Sequence, residues 1–203
     1  MIWAIKDNQR IIAEPKQKAR CPICQKEVIA KCGEIKVWHF AHISNIDCDN
    51  WYEPESEWHI KWKNEFPPEQ QEIKIGKHRA DIITRTGTII ELQSSSISKE
   101  DVEEREKFYN NMIWLLNGET IAKNFDIGNF FKNSSSKLKY YYKWEPTIIK
   151  CACKNIFIEK YGFIYKIDDK EYGSAIIFTK EQFLQLYGDI YKKEEKNGTD
   201  NLL

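Results

Sequence analysis

Two short runs rich in β-branched residues, Arg79–Thr84 and Thr88–Gln93, are separated only by Arg85-Thr86-Gly87, a loop with the glycine that a tight hairpin favours. Reflection of the two strands about Thr86 sets Asp81 opposite Glu91 and Arg79 opposite Gln93. Side chains alternate along a strand, so Arg79, Asp81, Glu91 and Gln93 share one face, while Ala80, Ile82, Ile90 and Leu92 take the other and can be buried. Directly opposed carboxylates repel each other. A divalent cation between them removes the penalty, and the hairpin is expected to hold one. The competing reading leaves both acids solvated on an exposed face.

Upstream, Glu55–Lys63 reads as a helix that opens after Pro54, with Pro67-Pro68 closing the segment. Glu55, His59, Trp62 and Lys63 fall on one helical stripe, so a third acid, an imidazole and an ammonium approach the hairpin together. Downstream, Ser98 and Asp101 are spaced as a helix cap for a helix running to Tyr109, and Met112–Leu116 reads as a strand. If that helix is a crossover, the strand lies beside the hairpin.

The order Glu55-Ser56-x-x-His59-x-x-x-Lys63, Arg79-Ala80-Asp81, Glu91-Leu92-Gln93-x-Ser95-x-Ile97-Ser98 resembles the competence protein CoiA family. So does the preceding Cys21-Pro22-x-Cys24 with His39-Phe40-Ala41-His42. The resemblance runs from about Cys21 to Leu116. It implies an α/β (α+β) fold with a restriction-endonuclease-like αβββαβ core of the PD-(D/E)XK type, behind a small N-terminal zinc ribbon. The implied activity is metal-dependent cleavage of phosphodiester bonds in DNA. Asp81, Glu91 and Glu55 would bind Mg²⁺ or Mn²⁺, and His59 would act as a general base or orient the site from behind. Most members of the larger superfamily carry a lysine where this chain, like the family it resembles, has Gln93. A neutral amide cannot stabilise developing negative charge as an ammonium can, so Lys63 or Arg79 is expected to hold the phosphate and Gln93 to orient water. Ser94–Ser96 and the start of the next helix offer further phosphate contacts. On repulsion alone, Asp81→Asn and Glu91→Gln are each expected to cost the metal-free fold nothing.

Six cysteines in a chain without a signal-peptide pattern or an apolar run of membrane-spanning length point to a cytoplasmic protein whose thiols bind metal. Cys21 and Cys24 supply half of a tetrahedral zinc site, and a hairpin of Glu27–Ala30 with Ile35–Phe40 returns His39 and His42 toward them. Cys21, Cys24 and His42 are the stronger ligands, with His39 and Cys48 as alternatives; Cys32 is read as a turn residue. Cys151 and Cys153 read as small buried thiols on a strand Ile148–Ile158, without further ligands nearby.

Lysine plus arginine equals aspartate plus glutamate at 31 each, which argues against a protein that simply coats nucleic acid and fits an enzyme engaging DNA locally. RNA stays open as a substrate, and competence or recombination proteins as further partners. Two other readings remain: a catalytically inactive DNA-binding module, and a zinc-anchored scaffold in recombination or phage-defence machinery. The expected division is a zinc-ribbon module over 1–52, the nuclease-like core over 53–145 and a C-terminal β-rich extension over 146–203. Lys139–Trp144 is read as an aromatic strand packed on the core in preference to a base-stacking surface. The chain from Lys192 onward is expected to fray.

Overall fold

The computed structural model describes residues 1–43, 48–51, 53–127 and 137–188. The expected connector over 45–53 lies partly, and the tail from Lys192 wholly, outside them. The first sheet is antiparallel and built from β1 (Trp3–Lys6), β2 (Gln9–Ile12), β3 (Lys18–Arg20), β4 (Glu27–Lys31) and β5 (His39–His42) in the order β2-β1-β3-β4-β5. Asp7 and Asn8 both have positive φ, as a two-residue turn between β1 and β2 requires. Ala4, Ala13, Cys21, Val28 and Phe40 form the core of this module. The expected second strand of the ribbon starts later than Ile35: its pairing with β4 runs from His39 to His42.

The rest of the chain forms a mixed α/β unit. Its elements are α1 (Glu57–Lys63), β6 (Gln71–Ile75), β7 (His78–Ile83), β8 (Ile89–Gln93), α2 (Lys99–Tyr109), β9 (Met112–Asn117), β10 (Phe125–Ile127), β11 (Lys137–Tyr142), α3 (Thr147–Cys151), β12 (Asn155–Lys160), β13 (Phe163–Asp169), β14 (Ser174–Phe178) and α4 (Lys180–Tyr187). The strands form one sheet ordered β10-β11-β14-β13-β12-β9-β8-β7-β6. From α1 to β9 the order along the chain is helix, three strands, helix, strand. β9 runs parallel to β8, with Trp114 beside Glu91, so α2 is the crossover that the sequence suggested. β12 then pairs in parallel with β9, and the strands beyond residue 146 extend the same sheet.

Helices cover both faces. Val102 and Tyr109 of α2 and Ile148 and Ile149 of α3 pack with Ile89, Trp114 and Leu116. On the opposite face Trp62 of α1 and Phe183 of α4 pack with Ile82, Ile90, Leu92, Ile113 and Leu115. β8 and β9 are buried on both faces, which accounts for the continuous apolar run Met112–Leu116 in β9. Two expectations need correction. The first helix begins at Glu57, because Ser56 is its N-cap, so Glu55 precedes it. Ile148 to Cys151 is not strand: Pro146 fixes the chain for the first turn of α3, which buries Ile148 and Ile149, and Cys153 lies exposed beyond its end. The aromatic strand reading holds for Tyr140, which is buried and within ring contact of Phe125. Trp144 lies past the strand and is exposed.

Candidate active site and metal cluster

Register carries the carboxylates into a row. Ile82 pairs with Ile90, which sets Asp81 against Glu91. On the other side, Gln71 pairs with Ile82 and Ile73 with Ala80, which sets Glu72 against Asp81. Three acids thus stand on three neighbouring strands. At Asp81 the ladder between β7 and β8 gives way to side-chain bonds. Leu92 N donates to Asp81 Oδ2 at 3.0 Å and Asp81 N to Glu91 Oε1 at 3.3 Å. Ile82, Ile90 and Leu92 share the buried face expected of them, whereas Ala80, also buried, packs with the cluster on the opposite side.

Lys63 is the centre of this row. Its Nζ lies 3.0 Å from Asp81 Oδ1, 3.1 Å from Glu72 Oε1 and 2.9 and 3.0 Å from the two oxygens of Glu55. Burial works against the ammonium, but Asp81, Glu55 and Glu72 outweigh it and hold Lys63 above the usual lysine range. The same pairing holds Asp81 below its ordinary value, although burial pushes it up. Glu55, buried beside Glu72 and Asp81, is raised. Glu72 has a positive φ of 49° and directs its carboxylate to the backbone N–H groups of Ile2 and Trp3 as well as to Lys63.

Glu91 behaves differently. Burial first, and the Asp81 charge second, push its carboxyl up to about 7, against the pull of Arg105, whose Nη1 lies 3.2 Å from Glu91 Oε2. His59 Nδ1 accepts from Ser56 N at 3.3 Å and lies 2.7 Å from Ser56 Oγ in a reciprocal capping box, while Nε2 faces Glu53 Oε2 at 3.8 Å. Burial disfavours the charged ring, but Glu53, Asp81 and Glu55 outweigh it and raise its pKa. Gln93 is buried, donates to Ser95 O at 3.0 Å, and its own amide oxygen has no hydrogen bond among the described residues.

Asp49, Glu53, Glu55, His59, Arg79, Asp81, Glu91, Leu92 and Arg105 line a cleft of about 20 Å³, room for about one water-sized particle. Of the residues lining it, His59 Nε2 and Arg79 Nε are buried without a hydrogen-bond partner among the described residues. Such atoms ordinarily find a partner, so the cleft is shaped and polar enough for one small ion or water. Of the residues the sequence singled out, Glu55, His59, Arg79, Asp81 and Glu91 line it, whereas Lys63 lies behind it and Gln93 is not part of its wall. Sequence reasoning missed Glu72, Asp49, Glu53 and Arg105. Glu72 was within reach: reflecting β6 and β7 about the Gly76-Lys77 turn, where Ile75 pairs with His78, sets it opposite Asp81.

In the N-terminal module the ligand atoms of Cys21, Cys24, His42 and Cys48 lie within 4.8 Å of one another. Cys24 Sγ is 3.2 Å from His42 Nε2 and Cys21 Sγ 3.6 Å from Cys48 Sγ. This Cys₃His set has the composition and spacing of a structural zinc site. Burial and the neighbouring Cys24 and Cys21 thiols push Cys48 up, a cost that a shared cation reverses. His39 is turned away, with Nδ1 2.7 Å from Val37 O, so Cys48 is the fourth member of the cluster.

A family model described as competence protein CoiA, nuclease-like domain, matches residues 56–184, more than half of the 203 residues. The chain belongs to the competence protein CoiA family. A second model, the CoiA N-terminal domain, matches residues 4–50 and contains all four members of the cysteine–histidine cluster. No curated protein and no solved structure matches. The CoiA nuclease-like match spans α1 to α4, so the carboxylate row lies inside it, and no described helix is long and apolar enough to cross a membrane.

Proposed function

We propose that this CoiA-family chain is a divalent-metal-dependent deoxyribonuclease with a restriction-endonuclease-like αβββαβ core spanning α1 to β9. The observation that carries the reading is the one-particle cleft into which adjacent strands bring Asp81 and Glu91, with Glu55 and Glu53 beside them. The elevated Glu91 supports it: two opposed buried carboxylates share their charge poorly without a cation. Asp81 and Glu91 would hold Mg²⁺ or Mn²⁺, with Glu55 close enough to contribute directly or through water. Bound there, the ion would lower the pKa of a water and offset charge on the scissile phosphate.

The chain's own residues supply the rest. Arg79 lines the cleft and its Nε–H has no hydrogen-bond partner among the described residues, so it is better placed than Lys63 to meet a phosphate oxygen. Lys63 fixes Asp81 Oδ1 and Glu55, which leaves Asp81 correctly turned for its neighbour. His59 presents Nε2 to the cleft, where it can take or give a proton. Serine hydroxyls follow at the strand end, with Ser94 N and Oγ donating to Glu53.

The second reading is a DNA-binding module without cleavage. The Lys63 cage favours it, because an ammonium already compensates Glu55, Glu72 and Asp81. Titration calorimetry with Mn²⁺ on zinc-loaded protein separates the two. The nuclease reading expects one saturable divalent site that Glu91→Gln weakens severely. Heat of dilution alone would leave the binding-module reading standing.

A further inference from the structure

Four residues, Cys48 to Trp51, join the cysteine cluster to the carboxylate cleft. Cys48 is a member of the Cys₃His cluster. The next residue, Asp49, accepts from Arg79 N through Oδ2 at 3.1 Å and from Trp51 N through Oδ1 at 3.1 Å, and Oδ1 lies 2.9 Å from His78 Nδ1. His78 and Arg79 open the strand that carries Asp81 two residues later. Trp51 is buried, stacks on the His78 ring with centroids 3.3 Å apart, and offers its carbonyl to Arg105 Nη2 at 2.9 Å. Arg105 Nη1 holds Glu91 Oε2. One short segment therefore grips the strand bearing Asp81 with its first polar residue and, through Arg105, the carboxylate of Glu91 with its last.

We infer that this segment is a coupling element: occupancy of the Cys₃His cluster by zinc fixes Cys48, and through Asp49 and Trp51 it sets Asp81 and Glu91 in the geometry that accepts a divalent cation. Asp49 is a positioning residue in this scheme, acting through the His78–Arg79 backbone and side chain, with Arg105 as the second arm. The inference rests on the zinc and divalent-site readings given above. Its physical basis is entropy and hydrogen bonding together. A segment held at one end by coordination has already lost backbone freedom of about 1–2 kcal/mol per residue, so the bonds from Asp49 and Trp51 close with little further loss. Released from Cys48, the same bonds must order the segment themselves. Partners behind metal ligands commonly shift metal affinity by about 10–100-fold.

Two measurements on the full chain test the coupling. Amide hydrogen exchange compares zinc-loaded protein with protein stripped by a zinc-selective chelator. Peptides spanning residues 78–93 should exchange about tenfold faster after stripping, while those spanning 155–169 stay protected. No change in 78–93, or equal loosening of both regions, overturns the inference. The second measurement is Mn²⁺ calorimetry, with zinc content confirmed, on His78→Phe, which lies outside the cleft, keeps a ring on Trp51 and removes the side-chain partner of Asp49 Oδ1. The variant should bind Mn²⁺ at least about tenfold more weakly than the parent with the same zinc. Equal affinity overturns the coupling. Absence of Mn²⁺ binding in the zinc-loaded parent instead removes the divalent-site reading, and the exchange comparison still decides whether zinc orders the two strands.

Discussion

Lys63 Nζ sits 3.0 Å from Asp81 Oδ1, fully buried, with Glu55 and Glu72 completing its cage. Lys63, one of the two cations weighed for holding the phosphate, is the internal counter-ion of the acidic row. Removing it leaves three buried carboxylates facing one another. Lys63→Met should therefore destabilise the fold by about 3–5 kcal/mol, the cost of stranding the partners of a buried ion pair. Chemical denaturation of the zinc-loaded protein checks this. A variant as stable as the parent would mean that the cage does not hold in solution.

The same contact separates Asp81 from Glu91, which the sequence treats alike. Asp81 accepts from Lys63 and Leu92 N and is held low, so its charge is stabilising. Asp81→Asn should cost roughly 1–3 kcal/mol in metal-free protein. Glu91 titrates near 7, so at neutral pH its charged and neutral forms are nearly balanced. Glu91→Gln, shaped like the neutral form and free of the cost of ionising there, should instead raise stability at pH 7 by roughly 1–3 kcal/mol. Urea melts of both variants at pH 7 decide it; equal costs would contradict the distinction.

Glu91 also sets a pH dependence. Its folded pKa is raised from 4.5 to about 7, so between these values the native state binds more protons than the unfolded chain. Stability from this group is present below about pH 4.5 and is lost as pH rises toward about 7. His59 and Glu55, also raised, act in the same direction, whereas the Met1 amine, lowered to about 6 chiefly by burial, acts in the opposite one. The difference between parent and Glu91→Gln isolates Glu91. Stability curves of the two without added divalent ion should lie close together near pH 4.5 and separate as pH rises to 7, the parent falling relative to the variant. Parallel curves would show that Glu91 has an ordinary pKa.

The cysteine cluster makes a direct comparison of two candidate ligands. Cys48→Ser should lose zinc and stability, since a structural zinc contributes folding energy, whereas His39→Ala should retain about one zinc per chain. Elemental analysis of protein purified without chelator reads both. Zinc retained in Cys48→Ser and lost in His39→Ala would reverse the assignment.

Much of the site was legible because strand register is a local property. The Thr86 reflection places Asp81 against Glu91 from sequence spacing alone, and α2 and β9 follow from a cap and an apolar run. Glu72 needed one more reflection through the neighbouring turn. Asp49 and Arg105 carried no such signal, since their roles depend on how a segment 29 residues upstream of His78 docks on the sheet. Lys63 was placed correctly on its helix face, but its distance from solvent depends on the whole sheet being covered. The stretch Ile148–Cys151 misled through composition: β-branched residues suit a buried helix turn as well as a strand once Pro146 has set its start.

The most direct test of the account is cleavage of labelled DNA by zinc-loaded protein in Mn²⁺, parent beside Asp81→Asn and Glu91→Gln. The account predicts divalent-dependent cleavage by the parent, and a loss of at least about a hundredfold in each variant, because neither amide can hold the cation as a carboxylate does. Cleavage at the parent's rate by Asp81→Asn would contradict it, for then the chemistry lies outside the cleft where the two strands meet.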